Sequence, residues 1–386
     1  MIGAGDTGGT TGGDGGSKLP FLAEGGQMGE LIAAHDWEAT PIGAIADWPH
    51  SLRTAVGICI TSRYPMVIWW GPKLVLIYND AWMPILGPSK HPALGKPGAQ
   101  VWPEMWHIIG TQMQHVLTSG EATWSDDQLL PAYRYGYLEE AYFTSSYSPI
   151  HDETAAVGGV FTAVTETTTR VLGERRLGTQ RALGEVSVVQ STSVEQACAA
   201  AMDVLSGNRA DIPFAVVYLL TADGAGERLA AQGLADDHAM PSSLPGPSIG
   251  ASIWQAVTLR QTQVISGIAT RLPGLAQPGA NEVGDADVDT VLALPLLGSR
   301  QRERPIGVLV AGVSPYRALD ENYRAFLHLV AGRHHRRTGL RSRTTTRPGT
   351  HQARPGQDRV LHRDQPRAAN SADPDRRSRP GCPRRP

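Results

Sequence analysis

The sequence predicts an α+β protein in which two antiparallel-sheet domains follow one another, joined by a helix, with disordered segments at both ends. Three observations carry this. At 386 residues with 41% hydrophobic composition, the chain has room for two or three domains, each with its own core. Between residues 27 and 331, apolar runs of strand length alternate with stretches whose apolar residues recur at helical spacing. The two ends differ from this body. Residues 1–18 are rich in Gly and Thr, and residues 332–386 are rich in Arg and Pro, compositions that bury too little surface to offset the entropy of ordering them.

In the first domain, residues 27–168, helical spacing marks Gln27 to Trp37 and Ser51 to Ser62, with Ser51 expected as an N-cap behind Pro49. Strands are expected at Met66 to Trp70 and Leu74 to Tyr78 around the turn Gly71-Pro72-Lys73. A longer amphipathic helix then runs from Glu104 to Thr118 and stops at Ser119-Gly120. Three more strands follow, at Ala122 to Leu130, Glu140 to Pro149 and Val157 to Val164, with turns at Tyr133 to Tyr137 and His151 to Ala155. Two strands, helices and three strands make an antiparallel sheet that needs a helical layer.

Residues 169–192 are polar, with apolar positions at Val171, Leu172, Leu177, Leu183 and Val186. That spacing suits a linker helix that pairs with its copy in a homodimer, and equally a simple surface helix; Gly173, Gly178 and Gly184 weaken either. The second domain, residues 193–331, opens with a helix from Val194 to Leu205. Strands are expected at Phe214 to Leu220, Arg228 to Gln232, Thr290 to Leu297 and Ile306 to Val313, and helices near Ser252 to Leu259 and Asp320 to Val330.

Particular residues bring a resemblance. Pro65-Met66-Val67-Ile68-Trp69-Trp70-Gly71, Tyr78-Asn79-Asp80-Ala81-Trp82, and the strand Gly158 to Val164 ending in Thr165-Glu166-Thr167 resemble a PAS domain over residues 27–168. In that family the acidic-Thr element leads into a signalling helix. Leu292-Ala293-Leu294-Pro295-Leu296 with Pro305-Ile306-Gly307-Val308-Leu309-Val310-Ala311-Gly312 resembles a GAF domain over residues 193–331. There the glycine of the Pro-Ile-Gly-Val-Leu pattern permits close backbone approach on the last central strand. Together they imply the sensory part of a bacterial two-component histidine kinase.

The charge divides with the architecture. From Arg333 to Pro386 there are 15 Arg and 4 Asp, whereas residues 1–332 carry 20 Lys and Arg against 33 Asp and Glu, a net of −13. The acidic body gives no electrostatic ground for nucleic-acid binding. No apolar stretch has the roughly 20 residues a membrane-spanning helix needs, and no charged-then-apolar leader opens the sequence, so the expected location is the cytoplasm. Cys59, Cys198 and Cys382 are too scattered for a disulfide framework or a zinc site.

From Arg333 onward there is no Ile, Met, Phe, Tyr or Trp. Arg, Pro, Ala and Gly enrichment is what GC-rich coding DNA gives when read out of frame. Codons can be written for Gln357 to Asp375 that, read one base later, spell K-T-A-F-F-T-E-I-S-H-E-L-R-T-P-L-T-L-I. That string strongly resembles the phosphoacceptor helix of histidine kinases. Thr338 to Arg347 likewise yields L-A-Y-E-A-E-Q-R-R-A. The expectation is a frame change near Gly332 that replaces the phosphoacceptor and ATP-binding domains, leaving a chain that is non-catalytic as written. His334, His335, His351 and His362 are then neither phosphoacceptors nor metal ligands.

A ligand in the first domain is expected between sheet and helices, where Ile68, Tyr78, Trp82, His115 and Phe143 are taken to face inward. No cofactor is identified. An axial haem role for His115 is outweighed by a surface role. A flavin photosensor of the PAS class would need a reactive cysteine in the helical segment after the second strand, and none lies between Cys59 and Cys198; a bilin would need one better placed than Cys198, read as a core residue. Trp69, Trp70, Trp102, Trp106 and Trp254 read as core and interface residues. Adjacent carboxylates at Asp126-Asp127 and Glu139-Glu140 point to opposite faces of a strand and form no joint acid/base site. Gly3, Gly5 and Gly8 spell G-x-G-x-x-G without the strand and helix that give it meaning, and no P-loop or G-x-S-x-G is present. The expected partners are a second copy, a small-molecule signal of unknown identity, and, for a full-length kinase only, a response regulator. A stand-alone regulatory protein, or the sensor half of a phosphatase or cyclase, is the alternative.

Overall fold

The computed structural model describes residues 19–189, 193–235, 238–275, 282–297 and 305–335. The segments read as disordered, 1–18 and nearly all of 332–386, lie outside them, as does the G-x-G-x-x-G.

The first domain opens with α1 (Gly26–Ala34) and α2 (His50–Thr61). Strands β1 (Met66–Trp70) and β2 (Val75–Tyr78) follow, then the short helices α3 (Met83–Leu86) and α4 (Gly98–Val101), then α5 (Trp106–Ser119). Strand β3 (Thr123–Leu129), a two-residue hairpin of β4 (Ala132–Tyr133) and β5 (Leu138–Glu139), β6 (Tyr142–His151) and β7 (Val157–Glu166) complete it. The sheet is antiparallel with order β2-β1-β7-β6-β3. Helix α5 buries Ile109, Met113 and Val116, a stripe at positions i, i+4 and i+7, and packs on β6 and β7. Gly120 closes it in the left-handed conformation that glycine adopts without strain.

The Tyr78-Asn79-Asp80-Ala81-Trp82 run is structural. Buried Asn79 places its amide nitrogen within hydrogen-bonding distance of the carbonyls of Cys59, Ser62 and Tyr64, while its oxygen accepts from the backbone of Met66 and Trp82. Asp80 accepts from the Gln27 and Met28 amides and so caps α1 from 53 residues away. Ser51 is not the N-cap of α2. Pro49 holds that place, and the Ser51 amide is taken instead by the Glu153 carboxylate at 2.8 Å.

Helix α6 (Thr168–Val189) leads from β7 into the second domain. It buries Leu172 and Leu183 and exposes Leu177. Next come α7 (Val194–Ser206), N-capped by Ser193 through the Gln196 amide, then β8 (Ala215–Leu220), β9 (Gly226–Gln232), β10 (Ser243–Leu244) and α8 (Ile249–Leu259). They are followed by β11 (Gln263–Ser266), α9 (Ile268–Arg271), β12 (Thr290–Leu297), β13 (Pro305–Gly312) and α10 (Glu321–His335). The order β10-β9-β8-β13-β12-β11 puts β8 and β13 at the centre of a fully antiparallel sheet. One of its faces packs on α7 and α10, the other on α8. Edge strands β10 and β11 are too short and polar to read from sequence. Helix α10 runs on through residues 332–335.

Candidate functional site

Side chains alternate across a strand, so Trp69 on β1 points to the side of the sheet that α5 covers. Its paired neighbours there carry Thr162 and Val164 on β7 and Phe143, Ser145 and Tyr147 on β6. With Trp82, Ile85, Trp102, Met105, Ile109 and Leu130 they enclose a chamber of about 30 Å³. That is room for one or two water-sized groups. None of its lining residues is charged.

Three polar groups give the chamber direction. Trp69 Nε1 is spent on Thr162 Oγ1 at 2.9 Å. Trp82, 4% exposed, leaves its Nε1 donor without a partner. Ser145, 2% exposed, makes no hydrogen bond of good geometry, although it lies near enough to the Tyr147 phenol to oppose its upward shift. Burial nonetheless pushes that phenol up to about 12, so it stays neutral. The chamber therefore offers an indole donor and a hydroxyl inside an aromatic wall.

Of the five residues expected to face inward, Trp82 and Phe143 line the chamber. Tyr78 shares the Trp69 face, but its hydroxyl is engaged by His91 Nδ1 and the Ala93 amide, each at 2.9 Å. Ile68 is fully buried on the opposite face from Trp69, because neighbouring strand residues point in opposite directions. His115 is exposed on the outer side of α5, off the stripe of Ile109, Met113 and Val116, and does not face inward.

A second constellation joins β5, β7, α6 and the second domain. Arg175 on α6 forks onto Glu140 at 2.6 and 3.1 Å and gives its Nε to Asp211 at 2.8 Å. Arg176 binds the other Asp211 oxygen at 3.0 and 2.9 Å, and its guanidinium lies 4.4 Å over the Tyr323 ring. Arg134 bonds Glu139 at 2.7 Å and Glu166 at 2.8 and 2.6 Å, and Arg317 reaches Glu139 at 3.1 Å. Glu139 and Glu140 thus do diverge, each to its own arginines. Glu166 is the acidic residue of Thr165-Glu166-Thr167, and Thr168 also bonds it at 2.9 Å.

Burial alone would raise the Asp211 carboxyl. Hydrogen bonds and charge from Arg175 and Arg176 outweigh it and hold the group below its usual range. Glu166 is likewise held down against its burial, chiefly by Arg134. A depressed carboxyl stabilises the fold fully above its unfolded value, 3.8 for Asp and 4.5 for Glu, and that stability is lost as pH falls towards the folded value. The urea midpoint is accordingly expected to hold from about pH 7 to about pH 5 and to fall below that. Asp211→Asn should fall less steeply there, and equal slopes for both proteins would sink the assignment.

The described residues contain no helix long and apolar enough to cross a membrane, and no cluster of metal-ligating side chains. Residues 66–172 match the family described as PAS fold, and residues 191–333 match the family described as GAF domain. No curated protein matches the chain. Among solved structures, a GAF sensor protein from Burkholderia vietnamiensis shares 17% identity over 43% of this chain and 94% of its own, with a TM-score of 0.31. The GAF domain of an Acinetobacter phosphoenolpyruvate-protein phosphotransferase gives 16%, 41%, 89% and 0.29. A sensory box sensor histidine kinase from Vibrio cholerae gives 17%, 27%, 77% and 0.21. With both family matches falling on the two sheets described above, the chain carries a PAS domain followed by a GAF domain, a sensor-domain architecture.

Proposed function

We propose that this chain is the signal-sensing and dimerisation part of a cytoplasmic two-component sensor histidine kinase, with a PAS chamber that takes a small neutral molecule. The kinase reading rests on the residues Gln357 to Asp375, for which synonymous codons can be chosen that, read one base later, spell S-H-E-L-R-T-P-L. First and second codon bases are largely fixed by the amino acids and set the first and third letters of most shifted codons, while the middle letters are the third bases left open by synonymy. The hidden histidine straddles the codons of Pro366 and Arg367, so the polypeptide as written carries no phosphoacceptor there. Dimerisation would use the outer side of α6, where Leu177 is exposed.

The chamber chemistry supports a neutral ligand. A charged one would lose its hydration with no counter-charge on the wall. A hydrogen-bond acceptor would meet Trp82 Nε1, and the volume limits the occupant to a few heavy atoms unless the lining moves.

The test begins by sequencing the gene across the codons for Val330 to Asp358 and reading all three frames. Restoring the frame is expected to yield a longer protein that takes phosphate from ATP, and Gln at the hidden histidine should abolish labelling. A restored product without autophosphorylation, or a restored frame without that motif, overturns the kinase reading.

A further inference from the structure

We propose that Arg175 of α6, with Arg134 and Arg317 beside it, clasps the PAS and GAF domains into one cooperative unit, so that a shift of β6 or β7 at the chamber is delivered to the GAF domain through Glu140 and Glu166. The delivery half rests on the chamber being the signal site; the clasp half stands without it.

Two short routes lead out of the chamber. On β6, Phe143 and Ser145 line it, and neighbouring Tyr142 gives its hydroxyl to Glu140 at 2.9 Å. Glu140 passes to Arg175, whose Nε ends on Asp211 of the GAF domain. On β7, Thr162 and Val164 line the chamber, and Glu166 follows at the same strand period. Glu166 takes both ends of the Arg134 fork, Arg134 Nε holds Glu139, and Arg317 of the GAF domain donates to the other Glu139 oxygen.

Backbone bonds close the same joint. The Glu140 amide donates to the Tyr316 carbonyl at 3.1 Å, and Arg317 donates to the Glu140 carbonyl at 3.1 Å. Glu140 is therefore fixed to the second domain by its main chain as well as by its carboxylate. Forked arginine–carboxylate pairs fix direction as well as distance, and when buried they set geometry more than they add net stability. A joint of this kind transmits rotation where a flexible linker would absorb it.

The clasp is tested on the full chain without ligand. Wild type is expected to melt in one calorimetric transition whose van 't Hoff and calorimetric enthalpies agree, whereas Arg317→Gln and Glu139→Gln should each split it into two. Two transitions in wild type, or one in both variants, overturn the clasp. Delivery is read by hydrogen exchange. Phe143→Leu, inside the chamber on β6, should change exchange in β8 and α10 by about fivefold or more, an effect that Arg175→Gln removes. No change, or a change that survives Arg175→Gln, overturns delivery. Where Arg175→Gln fails to fold by circular dichroism, the isosteric Glu140→Gln, which removes the charge that Arg175 pairs with, carries the same readout. Because no ligand is added, a chamber that binds nothing leaves these outcomes unaltered, and a failed clasp leaves ligand titration of the chamber unaltered.

Discussion

Asp211→Ala is expected to lower the stability of the protein by about 3–5 kcal/mol at neutral pH, the cost of leaving a buried charge without its partner. Asp211 has no exposed surface. One carboxylate oxygen accepts from Arg175 Nε and Asn208 Nδ2, at 2.8 and 3.1 Å, and the other accepts twice from Arg176. After truncation Arg175 still has Glu140. Arg176 keeps only its place over the Tyr323 and Phe326 rings, worth about 0.5–2 kcal/mol and insufficient for an uncompensated guanidinium. The loss is therefore assigned mainly to Arg176, and adding Arg176→Met to Asp211→Ala should recover part of it. Equilibrium urea unfolding, followed by tryptophan fluorescence and far-ultraviolet circular dichroism, measures both. A loss under about 1 kcal/mol for Asp211→Ala would place the pair among surface ion pairs and remove it from the joint.

The fold was largely legible because β1, β8, β12 and β13 are apolar runs with Gly or Pro close by, and because α5 shows a clean stripe. The same stripe already excluded His115 from the interior: Ile109, Met113 and Val116 set the helical phase, and residue 115 falls off it. Ile68 was a harder case. Met66 to Trp70 is apolar throughout, since both faces of β1 are covered, and a run without alternation does not disclose which residues point which way. The phase was written instead on β6, where Phe143, Ser145 and Tyr147 alternate with Thr144, Ser146 and Ser148. The joint left no local signature. Arg175 meets Glu140 across 35 residues and Arg317 meets Glu139 across 178, so each charge, read alone, resembles an ordinary solvated side chain.

Gly307 shows the opposite case, a single residue whose role the Pro-Ile-Gly-Val-Leu pattern disclosed. Gly307→Val is expected to destabilise the GAF sheet by about 3 kcal/mol or more, because no side-chain rearrangement can make the room. A Cβ built at Gly307 lies 2.2 Å from the Tyr218 carbonyl oxygen and 3.3 Å from the Leu219 Cα, both backbone atoms of the paired strand β8. Relief requires β8 and β13 to separate at the centre of the sheet, where ladder bonds would go unmet away from water. Gly178 on α6 is the control, with nothing within 4 Å of the place a Cβ would take. There Gly178→Ala meets no atom and recovers backbone entropy, a gain of about 0.5–1 kcal/mol. Urea midpoints of the two variants should thus move in opposite directions from wild type. If Gly307→Val lost less than about 1 kcal/mol, the close approach of β13 to β8, and with it the placement of the Val308 and Val310 side chains against α8, would have to be redrawn.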